Sequence, residues 1–173
     1  AIETLGCKLN QADSDALARQ FLSAGFQVAS SLEEADIYIL NTCTVTHVAD
    51  SKARHLLRMA RRSNPNALIV ATGCYAQRAP HDLKRMPEID LVVGNLDKLR
   101  LLSRPVPLAG PAGPSQTRAM VKIQEGCNQV CTFCIVPKVR GRERSIPLDD
   151  LVEEVQTRVA EGYKEVVLTG TQL

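Results

Sequence analysis

Two short runs constrain the fold of this chain more than any other feature. ADIYILN (35–41) and ALIVAT (67–72) are apolar along nearly their whole length. A strand with one wet face alternates apolar and polar residues. A strand apolar throughout is buried on both faces, the habit of parallel sheets covered by helices. Residues 47–63, between the two runs, form a basic amphipathic helix that stops before Asn64-Pro65, because the residue ahead of a proline is pushed out of helical geometry. The alternation continues through the first hundred residues. AIETL predicts a short strand, and residues 12–24 a helix with Leu17 and Phe21 at helical spacing and Gly25 as its stop. FQVA (26–29) reads as a strand, 80–86 as a helix, IDLVVG (89–94) as a strand and NLDKLRLL (95–102) as a last helix with Asn95 as N-cap. The fold class is α/β, with a parallel sheet covered on both faces.

The stretch SRPVPLAGPAGPSQTR (103–118) holds four prolines and two glycines and few large apolar residues, so it reads as a linker. It divides the chain into an N-terminal α/β domain (1–102) and a second unit (119–173). In that unit AMVKIQ (119–124) predicts a strand, followed by a long loop. The helix at 148–161 has an acidic first turn that suits its dipole, and EVVLTG (165–170) predicts a strand. A lone βαβ unit cannot bury both faces of its sheet. Residues 119–173 therefore read as the opening of a larger α/β domain, and the chain as a fragment.

With 173 residues and 45% apolar content, a core forms readily. A net charge of +2 does not by itself argue for nucleic acid, and with 3% aromatics and no Trp the chain advertises no base-stacking surface. No signal peptide or membrane-spanning run is visible, and clustered free thiols favour a reducing cytoplasm over a secreted disulfide scaffold.

Cys127, Cys131 and Cys134 stand in EGCNQVCTFC, a C-x3-C-x2-C spacing on the loop. Three thiolates this close suit a metal cluster better than a core, and a four-iron cluster so held keeps one iron open. Structural zinc is the competing reading, since Cys131 and Cys134 form a CxxC pair. It lacks a nearby fourth ligand, because His47, His55 and His81 all lie in the first half. Bacterial ferredoxin loops use another spacing and a fourth cysteine. Cys7, Cys43 and Cys74 each follow a predicted strand, in TLGC, ILNTC and IVATGC. In a parallel sheet all strand C-termini share one edge, where ligands bind, so three residues remote in sequence converge there. A lone strand-end cysteine is ordinarily a small buried hydrophobe; three in one context point to a second metal or cluster site.

The cysteine loop, with Phe133 just before its last cysteine, resembles the radical S-adenosylmethionine (SAM) superfamily. TLGCKLNQADSD, NTCTVT and ATGCYAQR, followed by VVGN, extend the resemblance over essentially the whole chain to the methylthiotransferases. Within them, GCKLNQ with NTCTVT is most similar to the branch acting on threonylcarbamoyladenosine in tRNA. The branches for isopentenyladenosine in tRNA or for a ribosomal protein are the neighbouring alternatives. A non-catalytic metal-binding nucleic-acid module is the alternative of another class. The resemblance implies a radical SAM (β/α) barrel begun by residues 119–173, and two 4Fe-4S clusters. Cys127, Cys131 and Cys134 would hold the one that binds and cleaves SAM. Cys7, Cys43 and Cys74 would hold an auxiliary cluster where sulfur is mounted before its transfer to C2 of the adenine. The hard step belongs to the cofactors, so no protein side chain is expected as the main catalyst. Implied partners are tRNA and a one-electron donor such as flavodoxin or ferredoxin, with no membrane; the sulfur source stays open.

By the same resemblance Phe133 packs on the SAM adenine or plugs the barrel end. Gly170 stands where many superfamily members have Gly-Glu at the SAM amine; here Gly-Thr follows. Asn10, Asn41 and Gln77 flank the upstream cysteines, to order loops, bond cluster sulfurs or cap helices. Arg54, Arg58, Arg61 and Arg62 share a helix face, and Lys138, Arg140, Arg142 and Arg144 follow the cysteine loop. Each stretch is either a solvated face or a phosphate contact.

Overall fold

In the computed structural model of the chain, residues 1–29, 31–98, 101 and 117–172 are described. The linker expected at 103–118 lies almost wholly outside them, as does the end of the helix expected at 95–102. Within the described part of that helix, Asn95–Asp97 form a turn.

The first sheet has four parallel strands in the order β1 (Ile2–Thr4), β2 (Ile37–Thr42), β3 (Leu68–Gly73) and β4 (Leu91–Val92). The two apolar runs are its central strands. Tyr38, Leu40, Ile69 and Ala71 turn one face toward Ala53, Leu57 and Ala60 of α2 (His47–Ser63), forming the main core. On the other face, α1 (Lys8–Ser23) lies over β1 and β2, where Ser14 bonds both Thr4 and Asn41. Helices thus cover both faces, as continuous apolar strands require.

The helix α2 has the expected bounds, with Thr46 accepting the Ala49 N–H as N-cap. α1 starts earlier than its periodicity suggests, at Lys8, and ends as expected at Gly25. FQVA is not a strand. Phe26 N–H bonds Phe21 O at 3.0 Å, Gly25 N–H bonds Leu22 O at 3.0 Å, and the Phe21 and Phe26 rings meet edge-on at 5.2 Å. This is a Schellman cap with its hydrophobic contact. It draws Phe26 into the helix end, and Gln27–Ala29 remain without strand pairing.

The helix expected at 80–86 is α4 (Pro80–Lys84), and a further short helix, α3 (Cys74–Arg78), precedes it. α3 begins directly at the end of β3, because Gly73 (φ +92°) turns the chain in a conformation closed to other residues.

The second part pairs β5 (Arg118–Lys122) with β8 (Glu165–Thr169) in parallel around α6 (Leu148–Ala160), the expected βαβ unit. A further feature is a short antiparallel ladder between β6 (Gln124–Glu125) and β7 (Arg144–Ser145). It closes the cysteine loop at its base, and α5 (Val136–Arg140) lies inside the loop. α1 packs on β5, and α3 touches α5, so the two parts share an interface. No described helix is long and apolar enough to cross a membrane.

Candidate metal centres

The register of the first sheet places Thr4 beside Asn41 and Asn41 beside Thr72. Cys7, Cys43 and Cys74 lie two or three residues beyond these neighbours, at one sheet edge. With adjacent strands about 4.8 Å apart, the three backbones fall within roughly 10 Å of one another. Gly6 (φ +108°) folds against Cys43: a Cβ on it would stand 2.9 Å from the Cys43 sulfur. Cys7 is exposed, Cys43 and Cys74 are buried, and all six cysteines are free thiols. Burial pushes the Cys74 thiol up, Arg140 and Lys98 oppose that, and Cys43 and Cys7 add to it. Among the described residues no three Cys, His, Asp or Glu side chains form a cage for a single metal ion. The donor set here is three soft sulfurs around an edge kept clear by a glycine, which suits a cluster several atoms across.

Polar bonds fix the loops that carry these cysteines. Asn10 donates to Leu5 O at 2.7 Å and Thr42 O at 3.0 Å, stapling the ends of β1 and β2. Its Oδ1 faces the Cys74 sulfur at 4.0 Å. Asn41 donates to Asn10 O at 2.9 Å. Both asparagines order loops rather than cap helices; the N-cap of α1 is Cys7 itself. Gln77 packs against Gly94, where a Cβ would meet its Oε1 at 2.4 Å. Behind the edge, Arg78 bonds Thr44 at 2.6 Å and Asp50 at 2.5 Å, and Arg54 bonds the Tyr75 hydroxyl at 2.8 Å. Both guanidiniums lie over the Tyr75 ring. Thr44 follows Cys43 and Tyr75 follows Cys74, so this network ties the two loops together.

The second cysteine set sits beyond the C-terminal end of β5. Cys127 is buried; its N–H bonds Gly141 O at 3.2 Å and its sulfur accepts the Gln129 N–H at 3.4 Å. Cys134 N–H bonds Cys131 O at 3.2 Å. Gly126 (φ +76°) passes so close to Arg142 that a Cβ would stand 2.0 Å from its carbonyl oxygen. Val130 and Phe133 are 97% and 92% exposed, so Phe133 covers nothing among the described residues. Gly170 directly follows β8, beside this loop. There the Gln124 side chain accepts Thr171 N–H at 2.8 Å and Gln172 N–H at 3.0 Å and donates to Gly126 O at 3.0 Å. Gln124, unremarked in the sequence, staples β8 to the cysteine loop.

Between the two sets lies a buried charge cluster that sequence reasoning also missed. Asp13, 1% exposed, pairs with Lys98 at 2.5 Å, Lys122 at 2.8 Å and Arg140 at 3.2 Å. Burial pushes the Asp13 carboxyl up, but the three cations outweigh it and hold it at about 2. One signal was available: Asp13 falls between Leu9 and Leu17 at i, i+4 spacing, an acid inside the buried stripe of α1.

The chain matches two family models, "Uncharacterized protein family UPF0004" over residues 1–94 and "Radical SAM superfamily" over residues 121–172. The first spans more than half of it. The chain belongs to the radical SAM methylthiotransferase family. It is 42% identical, over its whole length, to the threonylcarbamoyladenosine tRNA methylthiotransferase MtaB of Aquifex aeolicus, covering 48% of that protein. To the protein of the same name in Bacillus subtilis it is 40% identical over 98% of its length, covering 43% of that protein. A tRNA-2-methylthio-N(6)-dimethylallyladenosine synthase of Clostridium perfringens is 35% identical over 98% of the chain, with 44% of that protein covered. The chain thus spans about half the length of these curated relatives.

The basic residues divide between those committed to the fold and those left exposed. Arg61 is committed to the fold: it donates to Pro65 O at 2.7 Å, Ala67 O at 2.9 Å and Glu88 O at 3.3 Å and pairs with Asp90 at 2.5 Å. Arg140 is buried on Asp13, and Arg144 pairs with Glu125 at 2.6 Å. Arg62, Lys138 and Arg142 are exposed. Arg61→Ala is expected to lower the unfolding free energy by about 2 kcal/mol, the scale of losing charge-assisted bonds to several carbonyls. Urea denaturation measures this, and Arg62→Ala is expected to change stability by less than about 0.5 kcal/mol.

Proposed function

We propose that this chain is the N-terminal half of an enzyme that places a methylthio group on C2 of N6-threonylcarbamoyladenosine beside the tRNA anticodon. One observation carries the reading: two three-cysteine sets each follow the C-terminal end of parallel strands, on parts of the chain that touch through α3 and α5. Three thiolates per set, one short of the four a tetrahedral structural zinc takes, favour a cluster with an open iron over zinc. In this reading Cys127, Cys131 and Cys134 hold a 4Fe-4S cluster that binds SAM, with Phe133 and Gly170 at the SAM side. Cys7, Cys43 and Cys74 hold a second 4Fe-4S cluster. When bound, these groups supply the radical that takes hydrogen from the adenine and the sulfur that replaces it. The protein holds the two sites at a fixed spacing, keeps the Cys43 and Cys74 sides dry and leaves Cys7 and Cys131 open to partners. Residues 1–102 form the domain of the second cluster, and 103–118 link it to the SAM domain. A tRNA substrate puts the enzyme in the cytoplasm, served by a one-electron donor such as flavodoxin or ferredoxin.

The threonylcarbamoyl branch is favoured by the identities of 42% and 40% to MtaB proteins against 35% to a dimethylallyladenosine synthase. Mass spectrometry of tRNA nucleosides from cells lacking the gene tests this. Loss of the methylthio derivative of threonylcarbamoyladenosine supports it; loss of the isopentenyl derivative instead, or of neither, overturns the substrate assignment. Anaerobic reconstitution is expected to load about eight iron atoms per full-length chain, and one zinc without iron would defeat the reading altogether.

A further inference from the structure

Arg140 is the last residue of α5, in the segment that carries the second cysteine set, yet its guanidinium is spent on the first. It is 3% exposed. Nη2 donates to Asn10 Oδ1 at 2.5 Å and Nη1 to Asp13 Oδ2 at 3.2 Å. Asn10 has no freedom in this arrangement. Its amide nitrogen already donates to Leu5 O and Thr42 O, so its oxygen must face the arginine and the Cys74 sulfur. One branch of the guanidinium fork is therefore anchored on the residue that staples the Cys7 and Cys43 strand ends. Cys74, Asp13 and Cys7 are among the electrostatic neighbours of Arg140, and Glu125 stands at 3.7 Å.

Among the described residues, the ion pairs of this hub do not balance in charge without the cysteines. Three cations, Lys98, Lys122 and Arg140, meet two carboxylates, Asp13 and Glu125, the latter also shared with exposed Arg144. Asp13 would keep two partners without Arg140. A buried charge without a counter-charge is costly. The positive charge left over faces the edge where Cys7, Cys43 and Cys74 converge.

We propose that Arg140 is a positioning residue and fixed counter-charge for the Cys7–Cys43–Cys74 site, delivered to it by the segment that bears the other cysteine set. The inference rests on the cluster assignment made above. Three thiolates and a cluster carry net negative charge, which grows when an electron is added. A nearby buried cation favours the reduced form and raises the reduction potential. Because the cation arrives from α5, docking of the two parts sets the electronic state of the first site.

The test uses the full-length protein with Cys127, Cys131 and Cys134 changed to Ala, so that only the upstream site loads iron. One electron passes from dithionite to each cluster, with no bond made or broken in the protein, and electron paramagnetic resonance reads the reduced fraction at set potentials. In this background Arg140→Gln is expected to lower the reduced-to-oxidised ratio at fixed potential about tenfold, a fall of ~59 mV for one electron. Arg140→Lys is expected to recover at least half of that shift. Asp13→Asn disturbs the same hydrogen-bonded hub but removes a negative charge, so it is expected to shift the potential upward. A purely structural role would move Arg140→Gln and Asp13→Asn in the same direction, and that result, or an unchanged potential in a four-iron protein, overturns the inference alone. A parent that loads no iron overturns the cluster assignment and the inference with it.

Discussion

Cys127→Ala is expected to abolish SAM cleavage in the full-length protein, whereas Cys43→Ala is expected to leave cleavage running and stop methylthiolation. The two residues are of similar burial, so truncation costs each a similar, small amount of packing. What differs is their place. Cys127 sits at the base of a loop fixed by the β6–β7 ladder, its sulfur taking the Gln129 N–H, next to the end of β8 that Gln124 holds in place. Cys43 lies at the edge of the other sheet, against Gly6, with none of these contacts. Losing one of three ligands opens a cluster to solvent and exchange, so each substitution removes its own site and spares the other. Anaerobic assays that quantify 5′-deoxyadenosine and methylthio-nucleoside in parallel separate the two losses. Product formation by Cys43→Ala at the wild-type rate, or SAM cleavage by Cys127→Ala, would defeat the division of roles.

The convergence of Cys7, Cys43 and Cys74 was legible in the sequence because strand polarity is a local signal with a global consequence. Once ADIYILN and ALIVAT read as parallel strands, Cys43 and Cys74 had to share an edge, and the β1–β2–β3 register adds Cys7 to it. The helix at 47–63 was equally legible, since its amphipathic pattern and the Asn64-Pro65 pair mark it locally. Failures came where one residue serves two masters. Phe26 has a strand-like neighbourhood, but Gly25 behind it completes a Schellman cap and Phe21 supplies the apolar contact, so the helix end wins. Arg61 belongs by spacing to an exposed basic face, yet its fork reaches past the helix end to carbonyls and Asp90 that no periodicity reveals. The Asp13 hub draws on Lys98, Lys122 and Arg140, partners far away in the chain. Such long-range pairing leaves no trace in a single sequence beyond one acid on an apolar stripe.

Gly73→Ala is expected to be among the most damaging single substitutions in the chain, costing roughly 2–5 kcal/mol from backbone strain and overpacking together. Gly73 has φ +92° and ψ −160°, a region almost restricted to glycine. A Cβ there would stand 2.4 Å from Thr42 O, 2.5 Å from Asn41 Oδ1 and 2.7 Å from Thr42 N. Two of these atoms are backbone of the neighbouring central strand and cannot rotate away. Relief requires β3 to move off β2 at the point where the chain turns into α3, and Cys74 is the first residue to move with it. Gly25 supplies the control, because it also has positive φ (+88°) but nothing lies within 4 Å of the position its Cβ would take. Gly25→Ala is therefore expected to cost only the left-handed strain, about 1–2 kcal/mol. Chemical denaturation of both variants, with iron content measured on the protein reduced to the Cys7–Cys43–Cys74 site, separates the effects. Gly25→Ala is expected to load iron normally and Gly73→Ala to lose most of it. Equal stability losses, or full iron loading by Gly73→Ala, would show that the β3–α3 turn does not set the position of Cys74.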